Sequence, residues 1–247
     1  KAIDAGCNAL HEVAIPADWA NAVDNTEKVK LEGEAKTVAM VEKLMNPIAL
    51  MDGDSLPVSA FKDCADGQFE LGASAYEKRG TAVMVPEWDA AKCIQCNNCA
   101  FVCSHATIRP YLLSEAEEKA APAGLVAVDT KPKAGQYKYT MSVSPLDCMG
   151  CGECVTVCPT AAIKMVPQES RLAEQPVWDY LVKNVSKKTD SGYADSTVKG
   201  SQFNQPLLEF SGSCAGCAET SYARLITQLF GENMYISNAT GCSSIWG

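Results

Sequence analysis

The chain has 247 residues and a formal net charge of −9, which disfavours a broad surface for nucleic acid or for an anionic membrane. Hydrophobic residues make up 47% and charged residues 21%, as in soluble globular proteins, and no apolar run has the length of a membrane span. The length suits one large domain or two of ordinary size. Composition therefore predicts no nucleic-acid partner and no membrane association.

The chain contains thirteen cysteines, and most of them fall in tight Cys-x-x-Cys groups. A disulfide scaffold would space its cysteines so that they join distant loops of a short secreted chain. Metal ligation accounts better for tight groups, and thiolate ligands need a reducing compartment. The first residues include neither an initiator Met nor a secretory signal, and they are typical of the middle of a protein. We therefore expect a cytoplasmic metal-binding protein.

Three segments follow one another along the chain. Residues 1–68 combine helical stretches with turn-forming Pro and Gly, which predicts the end of a preceding domain and an extended connector. Residues 69–187 lead into a strand before Pro86 and are expected to form the next domain, although the pattern loosens after Pro167. Residues 188–247 begin with lysines and turn residues that suit a linker, and then start a further unit.

An internal repeat decides the architecture of the second segment. The run from Cys93 to Ile108 returns 55 residues later as Cys148 to Ile163, with seven of sixteen positions identical. Each copy predicts a strand, a cysteine loop, a short helix and a second strand. Ser114 to Ala121 predicts a short charged helix between the copies. The fold class is therefore α+β, with two repeated units forming a ferredoxin-like sandwich.

Each cysteine run has the form C-x-x-C-x-x-C-x-x-x-C, which matches the known spacing of bacterial ferredoxins. Three thiolates at this spacing bind one four-iron, four-sulfur cluster, and the fourth lies on the following helical turn and reaches the other cluster. We therefore expect two 4Fe-4S clusters whose ligand sets exchange their last members. The expected ligands are Cys93, Cys96, Cys99 and Cys158 for cluster one, and Cys148, Cys151, Cys154 and Cys103 for cluster two.

Structural zinc is the alternative, because zinc also accepts thiolates at Cys-x-x-Cys spacing. Zinc would use pairs of cysteines separated by a longer loop, so two interlocked repeated runs favour iron and sulfur. Cys7 and Cys64 stand alone and are expected to be buried small apolar residues. His105, which follows Cys103 by two positions, is expected to be a surface or partly packed histidine.

A third cysteine group, formed by Cys214, Cys217 and Cys242, supplies three potential ligands. A cubane needs four, so either the fourth ligand lies elsewhere or the three serve another purpose, and we favour the first interpretation.

The residues between these cysteines predict local structure. Ser221 to Phe230 predicts a helix that ends at Gly231. Met234 to Ile236 predicts a buried strand that leads into a Gly-Cys-Ser-Ser turn, the position where open α/β sheets bind ligands. Glu219 faces this region and is either a polar contact or a solvated acid in the first turn of the helix.

Taken together, these motifs resemble the pyruvate:ferredoxin oxidoreductases, which are multidomain thiamine-dependent 2-oxoacid enzymes. The similarity covers nearly the whole chain and corresponds to their ferredoxin-like domain and the start of their last domain. The segments that carry it are Phe69 to Gly72, Glu77 to Gly80, Cys93 to Cys99, His105 to Pro110, Leu146 to Gly152, Lys199 to Phe203, Cys214 to Cys217, and Asn238 to Ser244.

The resemblance implies a function for the third segment. Residues 188–247 would be the truncated start of an α/β domain that binds thiamine diphosphate and Mg. Cys214, Cys217 and Cys242 would hold a third 4Fe-4S cluster next to this cofactor, and Glu219 and Cys242 would lie at the cofactor itself. No residue is assigned a catalytic role.

The resemblance also implies the reaction of the parent protein. Pyruvate and coenzyme A would be converted to acetyl-CoA and CO2, and the clusters would pass the electrons to ferredoxin or flavodoxin. The remaining domains of the parent enzyme and a second copy in a homodimer would be further partners.

The chain departs from the family in three respects. It has no Gly-Asp-Gly motif and no fourth cysteine for the third cluster, and Ala218 replaces a usual glycine. These residues alone are therefore expected to pass electrons but not to turn over pyruvate. The competing hypothesis is a stand-alone polyferredoxin-type carrier, or a subunit of another 2-oxoacid oxidoreductase. The third cysteine group argues against it.

Overall fold

The structure is a computed structural model that describes residues 1–23 and 30–246. Within these residues, five strands are formed: β1 (Met84–Trp88), β2 (Ile108–Leu113), β3 (Val128–Asp129), β4 (Lys138–Val143) and β5 (Ile163–Pro167). The α-helices are α1 (Ala2–Asn8), α2 (Ala35–Met40), α3 (Asn46–Ala49), α4 (Asn98–Val102), α5 (Glu115–Ala120), α6 (Glu153–Thr156), α7 (Gln175–Asn184), α8 (Val198–Ser201), α9 (Ala218–Phe230) and α10 (Ser243–Trp246). None of the helices described here has the length and apolarity that a membrane crossing requires.

Two copies of a strand, loop, helix, strand unit form the centre of the molecule, which confirms the predicted repeat. The first copy contains β1, α4 and β2, and the second contains β4, α6 and β5. β1 pairs antiparallel with β5, and β2 pairs antiparallel with β4, whose other edge carries β3. Each sheet therefore joins the first strand of one copy to the last strand of the other, and neither copy completes a sheet alone.

The main core lies between the sheets and the two short helices. It combines apolar residues with three of the cysteines: Cys99, Cys103, Ile108, Leu112, Tyr139, Met141, Val143, Cys154 and Ile163. At its centre, the fully buried Tyr139 donates a hydrogen bond of 2.7 Å to the side-chain oxygen of Asn97. Trp88 and Phe203 pack edge-on against the Tyr139 ring. The core is therefore built around the cysteine loops.

The connector between the copies contains the predicted charged helix, α5. Ser114 caps it, and the Ser114 and Glu117 side chains bond reciprocally to each other's backbone in a capping box.

Helix α7 was not predicted from the sequence, because the pattern of apolar residues loosens after Pro167. Its residues Val177, Trp178 and Leu181 are buried, and Val177 and Leu181 pack with Leu113 of β2 in a second apolar cluster. The signal that could have found this helix is the apolar spacing of these residues after Pro176, which lies at the start of the helix.

The isolated cysteines near the amino-terminal end do not lie in a core, so this prediction was wrong. Cys7 is exposed on α1, a helix without any buried residue, and Cys64 is partly exposed. All of residues 1–23 are exposed. A cysteine behaves as a small apolar residue only where a core exists to receive it.

The segment after residue 188 packs onto the cysteine-loop unit through α8 and α9. Helix α9 ends at Gly231, as predicted, but it is oriented with its polar side inward. Its buried residues are Thr220, Arg224, Thr227 and Gln228, whereas the exposed residues include Tyr222, Ile226, Leu229 and Phe230. Helix α9 therefore meets the cysteine-loop unit through hydrogen bonds, such as those of Arg224 to the Cys103 and Phe101 carbonyls.

The predicted buried strand at Met234 to Ile236 is not formed. A 3-10 turn at Gly231–Asn233 precedes irregular backbone, in which Tyr235 is fully exposed and Ile236 is 73% exposed. Within residues 1–23 and 30–246, no strand lies alongside to satisfy its backbone groups.

The packing of α7 leads to a stability prediction. Leu181→Ala should lower the free energy of unfolding by about 2–5 kcal/mol, because it removes a fully buried side chain from a packed cluster. Leu207→Ala is the matched control, since Leu207 is 60% exposed and should cost only about 0.5 kcal/mol. Urea unfolding followed by circular dichroism measures both, and equal losses would contradict the assigned burial.

Candidate cluster-binding site

A small cavity of about 20 Å³ lies where the two copies of the repeat meet. Its lining contains four cysteines, namely Cys93, Cys96, Cys99 and Cys158. Trp88, Tyr139 and Met141 supply apolar walls around them. The structure thus brings Cys158 of the second run to the first three cysteines of the first run.

The other four cysteines form a second group in which Cys103 joins the three leading cysteines of the second run. A charge on Cys103 acts, after burial, to raise the pKa of Cys148, Cys151 and Cys154. Thr107 connects the two runs here, because its hydroxyl lies 3.5 Å from the Cys103 sulfur and also hydrogen-bonds to Cys148. In both groups, three cysteines of one run are therefore joined by the fourth cysteine of the other run.

The two groups lie next to each other. Burial, and after it a charge on Cys154, raise the pKa of Cys99 well above its usual value. Groups bound at these two sites would therefore be neighbours.

Burial opposes ionisation of these thiols. It raises the pKa of Cys148 to about 12, and it raises the pKa of Cys154 well beyond its ordinary range. Free thiols at these positions would remain protonated at neutral pH, whereas metal ligation requires thiolates and offsets the cost with the positive charge of the metal. The donor set fits a site completed by metal.

Backbone amides point at the sulfurs in the same pattern in both copies. The sulfur of each first cysteine accepts an N–H two residues later: Gln95 to Cys93 at 3.3 Å, and Gly150 to Cys148 at 3.4 Å. The sulfur of each fourth cysteine accepts an N–H four residues later, from Thr107 to Cys103 at 3.4 Å and from Ala162 to Cys158 at 3.2 Å.

Such bonds stabilise negative sulfur. Burial acts to raise the pKa of Cys158, but the backbone N–H groups of Thr160 and Ala162 outweigh it and lower that pKa.

Left-handed backbone shapes both loops at equivalent positions. Gly150 and Gly152 have φ of 69° and 80°, and the corresponding residues of the first copy, Gln95 and Asn97, have φ of 60° and 63°. Non-glycine residues at such angles need support.

Gln95 obtains this support from bonds of 2.8 and 2.7 Å to the backbone of Asp129 and Lys131. Asn97 obtains it from Tyr139 and from a bond of 2.9 Å to the Lys199 carbonyl. Sequence reasoning missed these two residues, although their alignment with the two glycines of the other copy was a usable signal.

The spread of the sulfurs bears on the identity of the metal. Across the described part of the chain, no three His, Cys, Asp or Glu side chains come close enough together to hold one metal ion. A tetrahedral zinc ion needs its sulfurs about 2.3 Å from a single point, whereas the thiolates of a cubane bind separate irons. Both metals take thiolate ligands, and the spacing of the two runs is the one that binds 4Fe-4S clusters.

Two of the three cysteines in the third group lie together. Cys214 and Cys217 lie in one turn, with the Cys217 N–H donating to the Cys214 carbonyl at 3.1 Å, and Cys217 precedes α9. Glu219 is partly buried in the first turn of this helix. Cys242 is exposed just before α10, and no hydrogen bond between described residues joins it to the other two.

The turn with Cys214 and Cys217 is attached directly to the second cysteine group. A Cβ placed on Gly216 would lie 3.4 Å from the Cys151 side chain. Ser104, which follows Cys103, donates a hydrogen bond of 2.7 Å to the Cys217 carbonyl. The turn with Cys214 and Cys217 therefore adjoins the second cysteine group.

His105 strengthens this attachment, which corrects the expectation of a surface or partly packed histidine. It is 2% exposed, and its ring nitrogens lie 3.1 Å from the Ser211 carbonyl and 3.2 Å from the Cys214 carbonyl. Burial lowers the pKa of His105. Its partners lie more than a hundred residues along the chain, so local spacing gave no signal for this role.

The glycine pair in the second loop gives a test. Gly150→Ala should be the more damaging change, because it adds a Cβ 3.0 Å from the Met84 carbonyl to the strain of a left-handed backbone. Gly152→Ala meets no atom within 4 Å, so it should cost only the backbone strain of about 1–2 kcal/mol.

The urea concentration at which the visible absorption of anaerobic protein bleaches reports both changes. It should fall further for Gly150→Ala, and the reverse order would contradict the described loop geometry.

Two protein families match parts of this sequence. Residues 92–162 match a family described as a 4Fe-4S dicluster domain, and residues 26–82 match one described as a domain of unknown function. The dicluster match covers both cysteine runs and all of the repeat except its last residue, Ile163. The chain therefore contains a ferredoxin-like 4Fe-4S dicluster domain of mixed α and β structure.

Larger proteins are similar to this chain along its whole length. The pyruvate-flavodoxin oxidoreductase of Klebsiella pneumoniae is 49% identical over 100% of this chain and 21% of its own length. The pyruvate:ferredoxin oxidoreductase of Moorella thermoacetica is 48% identical over 100% of this chain and 21% of its own length. The pyruvate dehydrogenase [NADP(+)] of Cryptosporidium parvum is 49% identical over 89% of this chain and 11% of its own length.

The chain spans about a fifth of the length of the first two of these relatives, with 21% of each covered. Their identity across the whole chain confirms the resemblance seen in the motifs. The chain is homologous, from end to end, to one segment of the pyruvate-flavodoxin and pyruvate:ferredoxin oxidoreductases.

Proposed function

We propose that this chain is the electron-transfer segment of a pyruvate:ferredoxin or pyruvate-flavodoxin oxidoreductase. The observation that carries the proposal is the cavity that Cys93, Cys96, Cys99 and Cys158 line together. It joins cysteines from opposite copies of the repeat, as the exchanged ligand sets of a two-cluster ferredoxin require.

The ligand sets follow from the two groups of cysteines. Cluster one is bound by Cys93, Cys96, Cys99 and Cys158, and cluster two by Cys148, Cys151, Cys154 and Cys103. When bound, each cluster takes up and releases single electrons. The chain's own contribution is to hold the thiolates, to direct backbone N–H groups at their sulfurs and to keep water away with Trp88 and Tyr139.

The third cysteine group extends the series toward thiamine diphosphate. Cys214, Cys217 and Cys242 are three ligands of a further 4Fe-4S cluster, and Glu219 and Cys242 lie at the thiamine and Mg site of the parent enzyme. The support is the position of Gly216 against Cys151, which puts the Cys214 turn beside cluster two. These residues would hold the third cluster next to cluster two, and the bound clusters would supply a path for electrons along the chain.

The rest of the parent's activity follows from its relatives' names and from the resemblance. The parent converts pyruvate and coenzyme A to acetyl-CoA and CO2 as a homodimer, in the cytoplasm, and it delivers electrons to ferredoxin or flavodoxin. Ile94, which is 50% exposed beside Cys93, marks the side of cluster one that an acceptor reaches. The segment boundaries are 1–68, 69–187 and 188–247.

Cysteine variants of the cluster-loaded protein test the exchange of ligands. Cys158→Ala should remove cluster one, and Cys103→Ala should remove cluster two, because each substitution deletes one of four ligands. Iron and acid-labile sulfide analysis, with electron paramagnetic resonance of the reduced protein, measures how many clusters remain. Cys64→Ala is the control and should lose none, because Cys64 lies outside both groups.

Combined variants show which cysteines share a cluster. Cys158→Ala with Cys96→Ala should lose no more iron than either single variant, whereas Cys158→Ala with Cys151→Ala should lose both clusters. The opposite pattern would show that each run binds its own cluster, and the proposed exchange would be wrong.

A further inference from the structure

Arg224 is a buried cation at the contact between α9 and the cysteine loops. It is 2% exposed, and all of its described hydrogen bonds go to neutral acceptors. Its Nε donates to the Cys103 carbonyl at 2.9 Å, and one terminal nitrogen donates to the Phe101 carbonyl at 2.6 Å. The other terminal nitrogen donates to the side-chain oxygens of Gln202 and Gln228.

This guanidinium has no carboxylate partner within 4.0 Å among residues 1–23 and 30–246. The contrast is Arg109, a second buried arginine, which forms an ion pair with Glu209. A buried charge without a counter-charge is costly, because hydrogen bonds to neutral oxygens do not replace the lost hydration in full. A negative group close to Arg224 would offset the rest of this cost.

In the cluster-loaded protein, the thiolate of Cys103 would be such a group. The guanidinium lies beside Cys103, because the Cys103 carbonyl accepts the Nε bond at 2.9 Å. In the other copy, the corresponding carbonyl is that of Cys158, and it accepts a hydrogen bond from the backbone N–H of Ala161. The carbonyls of Cys103 and Cys158 therefore accept from different donors, a guanidinium in one copy and a backbone N–H in the other.

We propose that Arg224 is the counter-charge of cluster two and raises its reduction potential above the value that the repeat alone would give. This inference rests on the proposed two-cluster function. Reduction adds one negative charge to the cluster, and a fixed positive charge in a poorly solvated interior stabilises the reduced form. Arg224 acts as a positioning residue, since it brings α9 and the Cys214 turn to cluster two while it tunes that cluster.

A redox titration of the cluster-loaded 247-residue chain, monitored by electron paramagnetic resonance, tests the proposal. Arg224→Met should decrease the ratio of reduced to oxidised cluster two about tenfold at a given potential, which is about 59 mV for one electron. Cluster one is the internal control and should not shift. Arg224→Lys keeps the charge and should retain most of the wild-type potential.

A second variant covers the possibility that Arg224→Met fails to assemble. Gln228→Glu keeps the arginine but gives it a carboxylate partner at the position that already accepts its bond. It should lower the potential of cluster two in the same direction, at unchanged iron content.

Unchanged potentials in both variants, or equal shifts of both clusters, would overturn the role of Arg224. Wild-type protein without iron and sulfide would instead contradict the underlying two-cluster function.

Discussion

The cross-pairing of the two repeat copies is the constraint on which the rest of the structure depends. β1 needs β5 and β2 needs β4, so the copies fold only against each other. The same arrangement carries Cys158 to the cavity of the first run and Cys103 to the three cysteines of the second. In the proposed holoprotein, metal–sulfur bonds join the two copies, whose strands already pair with each other. Cluster assembly and folding are therefore coupled.

Around the clusters, the chain supplies polar groups in a mainly apolar core. Backbone N–H groups reach the sulfurs in a pattern that repeats in both copies, and Arg224 adds a buried positive charge on the side of Cys103. The segment that follows is fastened to the same side by Ser104 and His105. The contact that joins the two units is therefore also the place where the third cluster is proposed to adjoin cluster two.

The sequence predicted the elements whose signal is local. The repeat, the capped helix after Ser114 and the end of α9 at Gly231 all follow from short-range patterns, and all are formed. The missed features depend on distant partners or on burial. Helix α9 turns its polar side inward because Arg224 and Gln228 meet backbone and amide groups of other segments, and the segment after Gly231 has no neighbouring strand with which to pair.

Cluster content is the most direct test of this account. Anaerobically purified protein should contain iron and acid-labile sulfide in equal amounts, with at least two four-iron clusters per chain. Its visible absorption should bleach on chemical reduction, and Mössbauer spectra should show four-iron clusters. Colourless protein that contains zinc in place of iron would contradict the account. The sixteen-residue repeat would then bind separate tetrahedral zinc ions, which provide no path for electrons.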